Sequence, residues 1–331
     1  MYDFDMLGLK PVLNAALKEA GLKKPTPIQN KAIPLALDGR DILGLAQTGT
    51  GKTLAFGLPL VQRLLENPGK PDPKTSKALI LAPTRELVNQ IAASLRTLTK
   101  KNKIRIVTVV GGQSINAQIK LLGRGTGILV ATPGRLIDLM KRRAVDLSQA
   151  RSLVLDEADQ LLDMGFIHAL REIAPHLGTP RHTMLFSATM PKKMEALSAA
   201  YLNNPVKVQV SPPGKAADKI TQSVHFVNKA AKPAKLREIL SADPGALTLV
   251  FARTKHGAER LMKDLVADGY NAASIHGNKS QGQRDRALKG FRDGKVEILV
   301  ATDVAARGID KPGEANEINI DHCSNQARQF Q

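Results

Sequence analysis

The stretch that decides the fold is Ala46-Gln47-Thr48-Gly49-Thr50-Gly51-Lys52-Thr53. The apolar run 42–45 before it is typical of a buried strand, and the periodic segment 54–65 after it is typical of a helix. A strand, a glycine-rich turn and a helix are together the context of a phosphate-binding loop. The loop's backbone N–H groups and the helix N-terminus would hold an anion, with Lys52 on the outer phosphates and Thr53 on Mg2+. The alternative is a surface turn rich in Gly and Thr, which the flanking strand and helix disfavour.

The composition indicates a basic protein with no disulfide of its own. The sequence has 331 residues, and 48 Lys and Arg against 30 Asp and Glu give a net charge of +18. A chain this basic favours a polyanionic partner, nucleic acid before an anionic membrane surface, although a solvated basic surface alone would look the same. One cysteine, no apolar stretch long enough for a membrane span and no basic signal-peptide start predict a cytoplasmic protein away from membranes.

Strand-like and helix-like segments alternate along the whole chain, which predicts α/β architecture with parallel sheets. The predicted strands are 78–82, 104–110, 127–131, 152–155, 183–186, 223–227, 247–251, 272–275, 296–301 and 317–320, besides the strand before the phosphate loop. Further predicted helices are 11–20, 30–37, 84–98, 233–240, 256–267 and 281–292. Pro and Gly at 211–215 break the alternation, so we predict two domains, 1–210 and 217–331, with the working site in the cleft between them.

Two further segments are candidates for the nucleotide site. Gln29 follows two prolines that make a rigid turn, and its amide matches the edge of an adenine base; the alternative is a turn that caps the next helix. Asp156 and Glu157 follow a predicted strand, where ligands bind in parallel sheets. Asp156 would hold Mg2+ through water and Glu157 would activate the attacking water, unless the two acids only cap the next helix.

In their order along the chain, these motifs resemble those of DEAD-box ATP-dependent RNA helicases of superfamily 2, and most nearly the RhlE-like bacterial branch. Asp156-Glu157-Ala158-Asp159 is the signature itself, and the resemblance runs from Phe4 to about Asp310. It implies two tandem RecA-like domains of the P-loop NTPase type, ATP and Mg2+ as cofactors, and RNA as a partner bound through its backbone. It also implies an RNA-dependent ATPase that unwinds short duplexes by bending one strand locally.

The resemblance also implies roles for individual residues. Around the nucleotide it places Phe4 and Gln29 on adenine, Thr48, Gly49, Thr50, Gly51, Lys52 and Thr53 on the phosphates, Asp310 on the ribose, and Mg2+ at Thr53 and Asp156. It makes Lys52, Asp156 and Glu157 catalytic, with Ser187 and Thr189 coupling hydrolysis to unwinding. Its RNA contacts are Pro83, Thr84, Arg85, Gly112, Thr132, Pro133, Arg135, Arg253, Gln281, Arg284 and Thr302.

The resemblance weakens after Asp310. The family's arginine-rich motif does not follow, and the residues 323–331 stand where its helix would begin, so the second domain is predicted to be incomplete. An ATP-gated RNA clamp or chaperone with little hydrolysis is therefore the alternative to a helicase, and a DNA translocase of the same superfamily is a third hypothesis. The sequence names neither protein partners nor an RNA target.

Overall fold

The computed structural model describes residues 3–102, 104–210, 221, 223–302 and 316–320. The chain divides into two compact units, Met1–Lys215 and Ala216–Gln331. Among the described residues, no helix has both the length and the apolar character needed to cross a bilayer.

In its described residues, the first unit is a parallel sheet of seven strands with helices between them. Its helices are α1 (Pro11–Glu19), α2 (Pro27–Leu37), α3 (Lys52–Glu66), α4 (Arg85–Thr99), α5 (Ile115–Leu122), α6 (Pro133–Lys141), α7 (Ala158–Asp163), α8 (Ile167–Ile173) and α9 (Lys192–Tyr201). Its strands are β1 (Ile42–Leu45), β2 (Ser76–Leu81), β3 (Ile106–Val109), β4 (Thr126–Ala131), β5 (Ser152–Leu155), β6 (His182–Ser187) and β7 (Val206–Gln209). The strand order is β3-β4-β2-β5-β6-β1-β7, and every pairing is parallel. One-turn 3-10 helices lie at Phe4–Met6 and Ala174–His176.

The first unit buries both faces of this sheet, as an all-parallel sheet requires. β1, β4 and β5 are buried at every position, which explains why they appear in the sequence as continuous apolar runs. One hydrophobic cluster packs α2, α3 and α4 against one face, and a second cluster packs α6, α7 and α9 against the other. The sheet is therefore a rigid base whose carboxyl edge carries the loops.

The second unit repeats the parallel α/β plan on a smaller scale. Its described helices are α10 (Lys232–Ala242), α11 (Lys255–Ala267) and α12 (Gln281–Arg292), with a 3-10 turn at Lys229–Ala231. Its described strands are β8 (Thr248–Phe251), β9 (Ala272–Ile275), β10 (Ile298–Ala301) and β11 (Asn316–Asn319), ordered β11-β8-β10-β9 and all parallel. The predicted parallel α/β fold is confirmed in both units.

One predicted strand is wrong. The segment 223–227 forms no strand in the structure and pairs with none of the described strands. Its alternating apolar side chains are exposed, Val224 by 74% and Phe226 by 96%. Alternation predicts a half-buried strand, but a strand also needs a hydrogen-bonding neighbour, and the described residues supply none here.

Candidate nucleotide and RNA sites

The order of the strands sorts the predicted site residues into two groups along one edge of the first sheet. β1, β6 and β5 lie side by side, and their carboxyl ends lead into the phosphate loop, Ser187 and Asp156. β2, β4 and β3 continue the sheet beyond β5, and their ends lead into segments predicted to contact RNA. The structure therefore brings the first domain's predicted nucleotide residues together and places the RNA-side residues directly beside them.

The phosphate loop has the backbone that an anion cradle needs. Gly49 and Gly51 take left-handed conformations with φ of +84° and +89°, which glycine adopts without steric cost. Ala46 is buried, and its N–H donates to the carbonyl of Ser187 across β1 and β6 (3.0 Å). Because Lys52 is the first residue of α3, the loop ends at a 15-residue helix's N-terminus, which attracts negative charge.

Lys52 and Glu157 form a buried ion pair beneath this loop. Lys52 Nζ lies 2.8 Å from Glu157 Oε1, and the hydroxyl of Thr48 donates to the same oxygen (2.9 Å). Glu157 Oε2 is buried and has no hydrogen-bond partner among the described residues. Glu157 also has a φ of +49°, a strained value for a glutamate, which turns its carboxylate to the loop instead of capping α7.

Asp156 is a buried carboxylate with an unpartnered oxygen. Its Oδ1 finds no hydrogen-bond partner in the part of the chain that the structure describes. Burial, followed by the neighbouring charge of Glu157, raises the pKa of Asp156 from 3.8 to about 7, and Lys52 opposes that shift. A cation beside Asp156 would restore its charge, so this site favours a bound positive ion.

The end of the acidic signature is joined to the β6 loop. Asp159 Oδ2 accepts hydrogen bonds from both the N–H (3.0 Å) and the hydroxyl (2.8 Å) of Thr189. The Ser187 hydroxyl, fully buried, donates to the Thr189 carbonyl (2.8 Å). A movement of Thr189 would therefore shift Asp159, which is two residues from Glu157, whose carboxylate faces the phosphate loop.

Gln29 and Phe4, both predicted to contact adenine, have contacts within the protein itself. The Gln29 side chain accepts from the Thr26 N–H (2.9 Å), so it caps α2, and its Nε2 donates to the carbonyl of Gly51 (2.9 Å). The helix-capping alternative is thus realised, and the same amide also holds the phosphate loop. Phe4 is only 3% exposed and belongs to the core beneath α2. The adenine contacts of both residues stay predictions.

On the RNA side of the first unit, both threonines begin helices. The Thr84 hydroxyl accepts from the Leu87 N–H (3.2 Å) and caps α4, while Thr132 precedes Pro133 at the start of α6. Thr84, Pro83, Thr132 and Pro133 are all buried. In the segments around Thr84 and Thr132, these buried residues leave only the remaining positions accessible to a large ligand.

Arg85, Gly112 and Arg135 meet at the loop between β3 and α5. The guanidinium of Arg85 lies so close to Gly112 that a Cβ built there would be 2.0 Å from Nη1. Arg135 Nη1 donates to the Gln113 carbonyl (3.0 Å). The sequence did not single out Gln118, whose Nε2 donates to the Val110 carbonyl in the same loop (2.9 Å). Its position as the fourth residue of α5 looks like an ordinary helix site, so only the fold reveals the contact.

In the second unit, the predicted RNA residues follow strands or begin a helix. Arg253 is exposed just after β8, and Thr302 follows β10, where its N–H donates to the Ile275 carbonyl (3.2 Å). Gln281 and Arg284 lie on the first turn of α12, and the Gln281 amide donates to Asp285 (2.9 Å). Asp310, predicted on the ribose, and the residues 323–331 lie outside the described residues.

A polar cluster that the sequence did not predict lies at the carboxyl end of β9. The Glu259 carboxylate accepts from Ser274 (2.6 Å) and pairs with His276 Nε2 and Lys279 Nζ, each at 2.9 Å. Hydrogen bonds from Ser274, His276 and Lys279 lower the pKa of Glu259 to about 2. The cluster links α11 to the turn that precedes α12. It therefore helps to fix the start of α12, where Gln281 and Arg284 lie.

Comparisons with known proteins match both units. The DEAD/DEAH box helicase model matches residues 26–197, and the helicase conserved C-terminal domain model matches residues 231–331. The structure of S. cerevisiae Dbp5 bound to RNA and ADP BeF3 is 30% identical, with a TM-score of 0.85 over 98% of this chain and 82% of that chain. The structure of RNA-helicase Prp28 from Chaetomium thermophilum bound to ADP is 39% identical, with a TM-score of 0.59 over 98% of this chain and 78% of that chain.

The fold and the site together define a P-loop nucleotide hydrolase built from two RecA-like domains. The chain belongs to the DEAD/DEAH box helicase family, and within it to the DEAD-box RNA helicases, which are RNA-dependent ATPases. Membership favours the helicase over the ATP-gated clamp with little hydrolysis.

Proposed function

We propose that the first domain hydrolyses ATP with Lys52, Asp156 and Glu157, and that hydrolysis drives the local unwinding of short RNA duplexes. The observation that carries this proposal is the buried Lys52–Glu157 pair at the phosphate loop, beside oxygens of Glu157 and Asp156 that find no partner among the described residues. A structural ion pair would satisfy its atoms, whereas this site leaves buried acceptors for groups that arrive with the substrate.

Each element of the nucleotide would have its own partners. Residues 48–53 offer backbone N–H groups and the Lys52 ammonium to the phosphates. Gln29 keeps a second N–H on Nε2 for an adenine edge, and Phe4 would border the base. We assign Asp310 to the ribose on the family resemblance.

The residues present fit Mg2+. Thr53 is the second residue of α3 and offers a hydroxyl, and Asp156 offers a buried carboxylate oxygen to which no described residue bonds. Among the described residues there is no group of three or more Asp, Glu, His or Cys that would hold a metal alone. This donor set suits Mg2+, which commonly takes one or two protein oxygens and keeps phosphate and water as its other ligands. When bound, the ion would neutralise charge on the transferring phosphoryl group.

In the hydrolytic step, the Glu157 carboxylate acts as the base for the attacking water. Its Oε1 is occupied by Lys52 and Thr48, so Oε2 is the oxygen that orients the water and accepts its proton. The water oxygen forms a bond to the γ-phosphorus while the bond to the β–γ bridging oxygen breaks, which gives phosphate and ADP. The Lys52 ammonium stabilises the negative charge that spreads over the phosphoryl oxygens.

We propose that RNA is held through its backbone. The candidates in the first unit are Pro83, Thr84, Arg85, Gly112, Thr132, Pro133 and Arg135, and those in the second are Arg253, Gln281, Arg284 and Thr302. Arginine, glycine and helix-capping threonine suit phosphate oxygens and read no base, so binding would be independent of sequence. The excess of 18 positive charges supports a polyanionic partner.

Two finer assignments complete the proposal. We place the chain in the RhlE-like bacterial branch because its motifs resemble that branch, and in the cytoplasm because its single cysteine suits a reducing compartment. The domain limits 1–210 and 217–331 and the binding of RNA between the domains also stay proposals.

Steady-state ATP hydrolysis tests the function directly. The whole chain is assayed without nucleic acid, with duplex RNA and with duplex DNA of the same sequence, and strand separation is followed with a labelled short duplex. We expect turnover to rise at least about tenfold with RNA, because family members depend on RNA for hydrolysis. Equal stimulation by DNA would favour a translocase, and binding of ATP and RNA without turnover would favour the clamp.

A further inference from the structure

The loop 110–113 is held by side chains from three different helices. Gln118 of α5 donates to the Val110 carbonyl (2.9 Å), and Arg135 of α6 donates to the Gln113 carbonyl (3.0 Å). Arg85, the first residue of α4, packs its guanidinium against Gly112. The three segments proposed to contact RNA in the first domain are thus joined through this one loop.

Gln118 holds its place at an energetic cost. It is only 2% exposed, although glutamine is mostly a surface residue. Its Nε2 is bonded to Val110, but its Oε1 is buried and has no partner among the described residues. A buried polar atom without a partner is unfavourable, so an apolar side chain would serve the packing of α5 at least as well. The bond to Val110 is the contact that distinguishes glutamine here.

The sheet order separates this loop from the nucleotide site. β3, which ends at Val109, is one edge strand of the first sheet, and β4 and β2 lie between it and β5, the nearest strand that leads into the nucleotide site. A local displacement at Val110 should therefore move Arg85 and Arg135 and leave Lys52 in place. RNA binding and ATP binding should respond differently to a change at Gln118.

We propose that Gln118 is a positioning residue for RNA binding, fixing the end of β3 so that the loop 110–113 supports Arg85 and Arg135. The inference rests on the proposed function, in which these arginines and Gly112 contact the RNA backbone. Without the amide, the Val110 carbonyl loses its partner, the loop shifts, and both guanidinium groups lose the surface against which they are ordered. The ligand concerned is the sugar-phosphate backbone of single-stranded RNA.

The test compares Gln118→Met with the wild type in the whole chain. Methionine keeps the length of the unbranched side chain and removes both the donor and the unpartnered oxygen. We expect the Kd for a fluorescently labelled single-stranded RNA to rise about tenfold, as for one lost hydrogen bond and a displaced loop. The Kd for a fluorescent ATP analogue should stay within about twofold, and the thermal midpoint should change little, because the removal of the orphaned Oε1 offsets the loss of the partner of the Val110 carbonyl.

Gln149→Met is the matched control. The Gln149 amide also bonds within the first unit, accepting from Thr75 (2.9 Å) and donating to Asp72. It lies near the start of β2, at the amino ends of the strands, whereas the loop 110–113 lies at their carboxyl ends. Its RNA affinity should match the wild type. Should Gln118→Met fold poorly, Gln118→Leu, which also removes the amide and places no charge in the buried site, gives the same comparison.

Two results would overturn the inference: an RNA Kd within twofold of the wild type, or RNA and ATP affinities that fall together. Arg85→Ala is measured in parallel to test the underlying function. If Arg85→Ala weakens RNA binding while Gln118→Met does not, only the role of Gln118 is wrong. If neither variant weakens RNA binding, this face does not bind RNA, and the inference falls with that assignment.

Discussion

Lys52 Nζ and Glu157 Oε1 lie 2.8 Å apart in an ion pair whose side chains are 5% and 3% exposed. The cation assigned to the phosphates is thus held by the acid assigned to the water. A buried pair of this kind fixes the positions of both groups before substrate arrives, which lowers the reorganisation needed during reaction. The two residues act as one unit, so each should be tested with the other in mind.

Replacing Glu157 with glutamine should separate binding from chemistry. The amide keeps an oxygen that can accept from Lys52 and Thr48, but it cannot take a proton from water. We expect turnover to fall about 100- to 10,000-fold while the Kd for ATP changes by no more than about threefold. Single-turnover ATP hydrolysis and binding of a fluorescent ATP analogue measure the two effects.

Glu195→Gln, an exposed site on α9, is the control and should hydrolyse ATP like the wild type. Turnover of Glu157→Gln near the wild-type rate would show that Glu157 is not the residue that activates water.

Asp156 should make the stability of the first domain depend on pH. Since its folded-state pKa is raised from 3.8 to about 7, the folded state resists ionisation, and stability is lost as pH rises through this window. Asp156→Asn removes that loss, so its advantage over the wild type should grow from pH 4 to pH 8, reaching about 2–4 kcal/mol. Denaturant unfolding without nucleotide measures the difference, and ATPase activity should be lost.

Asp38→Asn, at an exposed position of the same domain, is the control. A wild type that is more stable than Asp156→Asn at pH 8 would contradict the raised pKa.

Gly112→Ala should weaken RNA binding more than Gly111→Ala. At Gly112 the φ is +74° and an added Cβ would lie 2.0 Å from Arg85 Nη1, so both the loop and the arginine must move. At Gly111 the nearest atom would be 3.4 Å away. We expect about a five- to tenfold higher RNA Kd for Gly112→Ala, from the loss of one ordered phosphate contact.

Fluorescence anisotropy with a labelled single strand gives both affinities. If the two alanine variants bind RNA equally well, the packing of Arg85 on Gly112 does not matter for RNA.

Gly44→Ala should destabilise the first domain from within its sheet. A Cβ on Gly44 would lie 2.5 Å from two ring atoms of Phe186, which itself packs on Phe56 with ring centroids 5.6 Å apart. Relieving the overlap should cost about 1–3 kcal/mol, which lowers the thermal midpoint by several degrees. Because β1 leads into the phosphate loop, ATP affinity should fall as well.

Gly123→Ala in the same unit is the control, since a Cβ there would meet only ordinary contacts, 3.5 Å from the Lys120 carbonyl. Differential scanning fluorimetry compares the two variants. An unchanged midpoint for Gly44→Ala would mean that the Phe186 ring moves aside freely.

The patterns that were predicted correctly are local in the chain. The phosphate loop lies between β1 and α3 as expected, and the acidic signature follows β5, because a glycine-rich turn and a buried apolar run each depend on adjacent residues. The predicted strand at 223–227 was wrong because alternation depends only on the character of the side chains. It does not show whether a neighbouring strand is present to pair with. β7, at the edge of the first sheet, was missed because its polar residues 207 and 209 weaken the apolar pattern.

The sequence by itself determined the parallel α/β class, the family and the residue types that would do the chemistry. Only the tertiary structure decided that Gln29 bonds the Gly51 carbonyl, that Thr189 bonds Asp159, and that Gln118 bonds the Val110 carbonyl. The reason is physical: helices and turns form from contacts between near neighbours, whereas strand order and buried side-chain bonds join residues far apart. Their partners are therefore chosen by how the whole sheet packs.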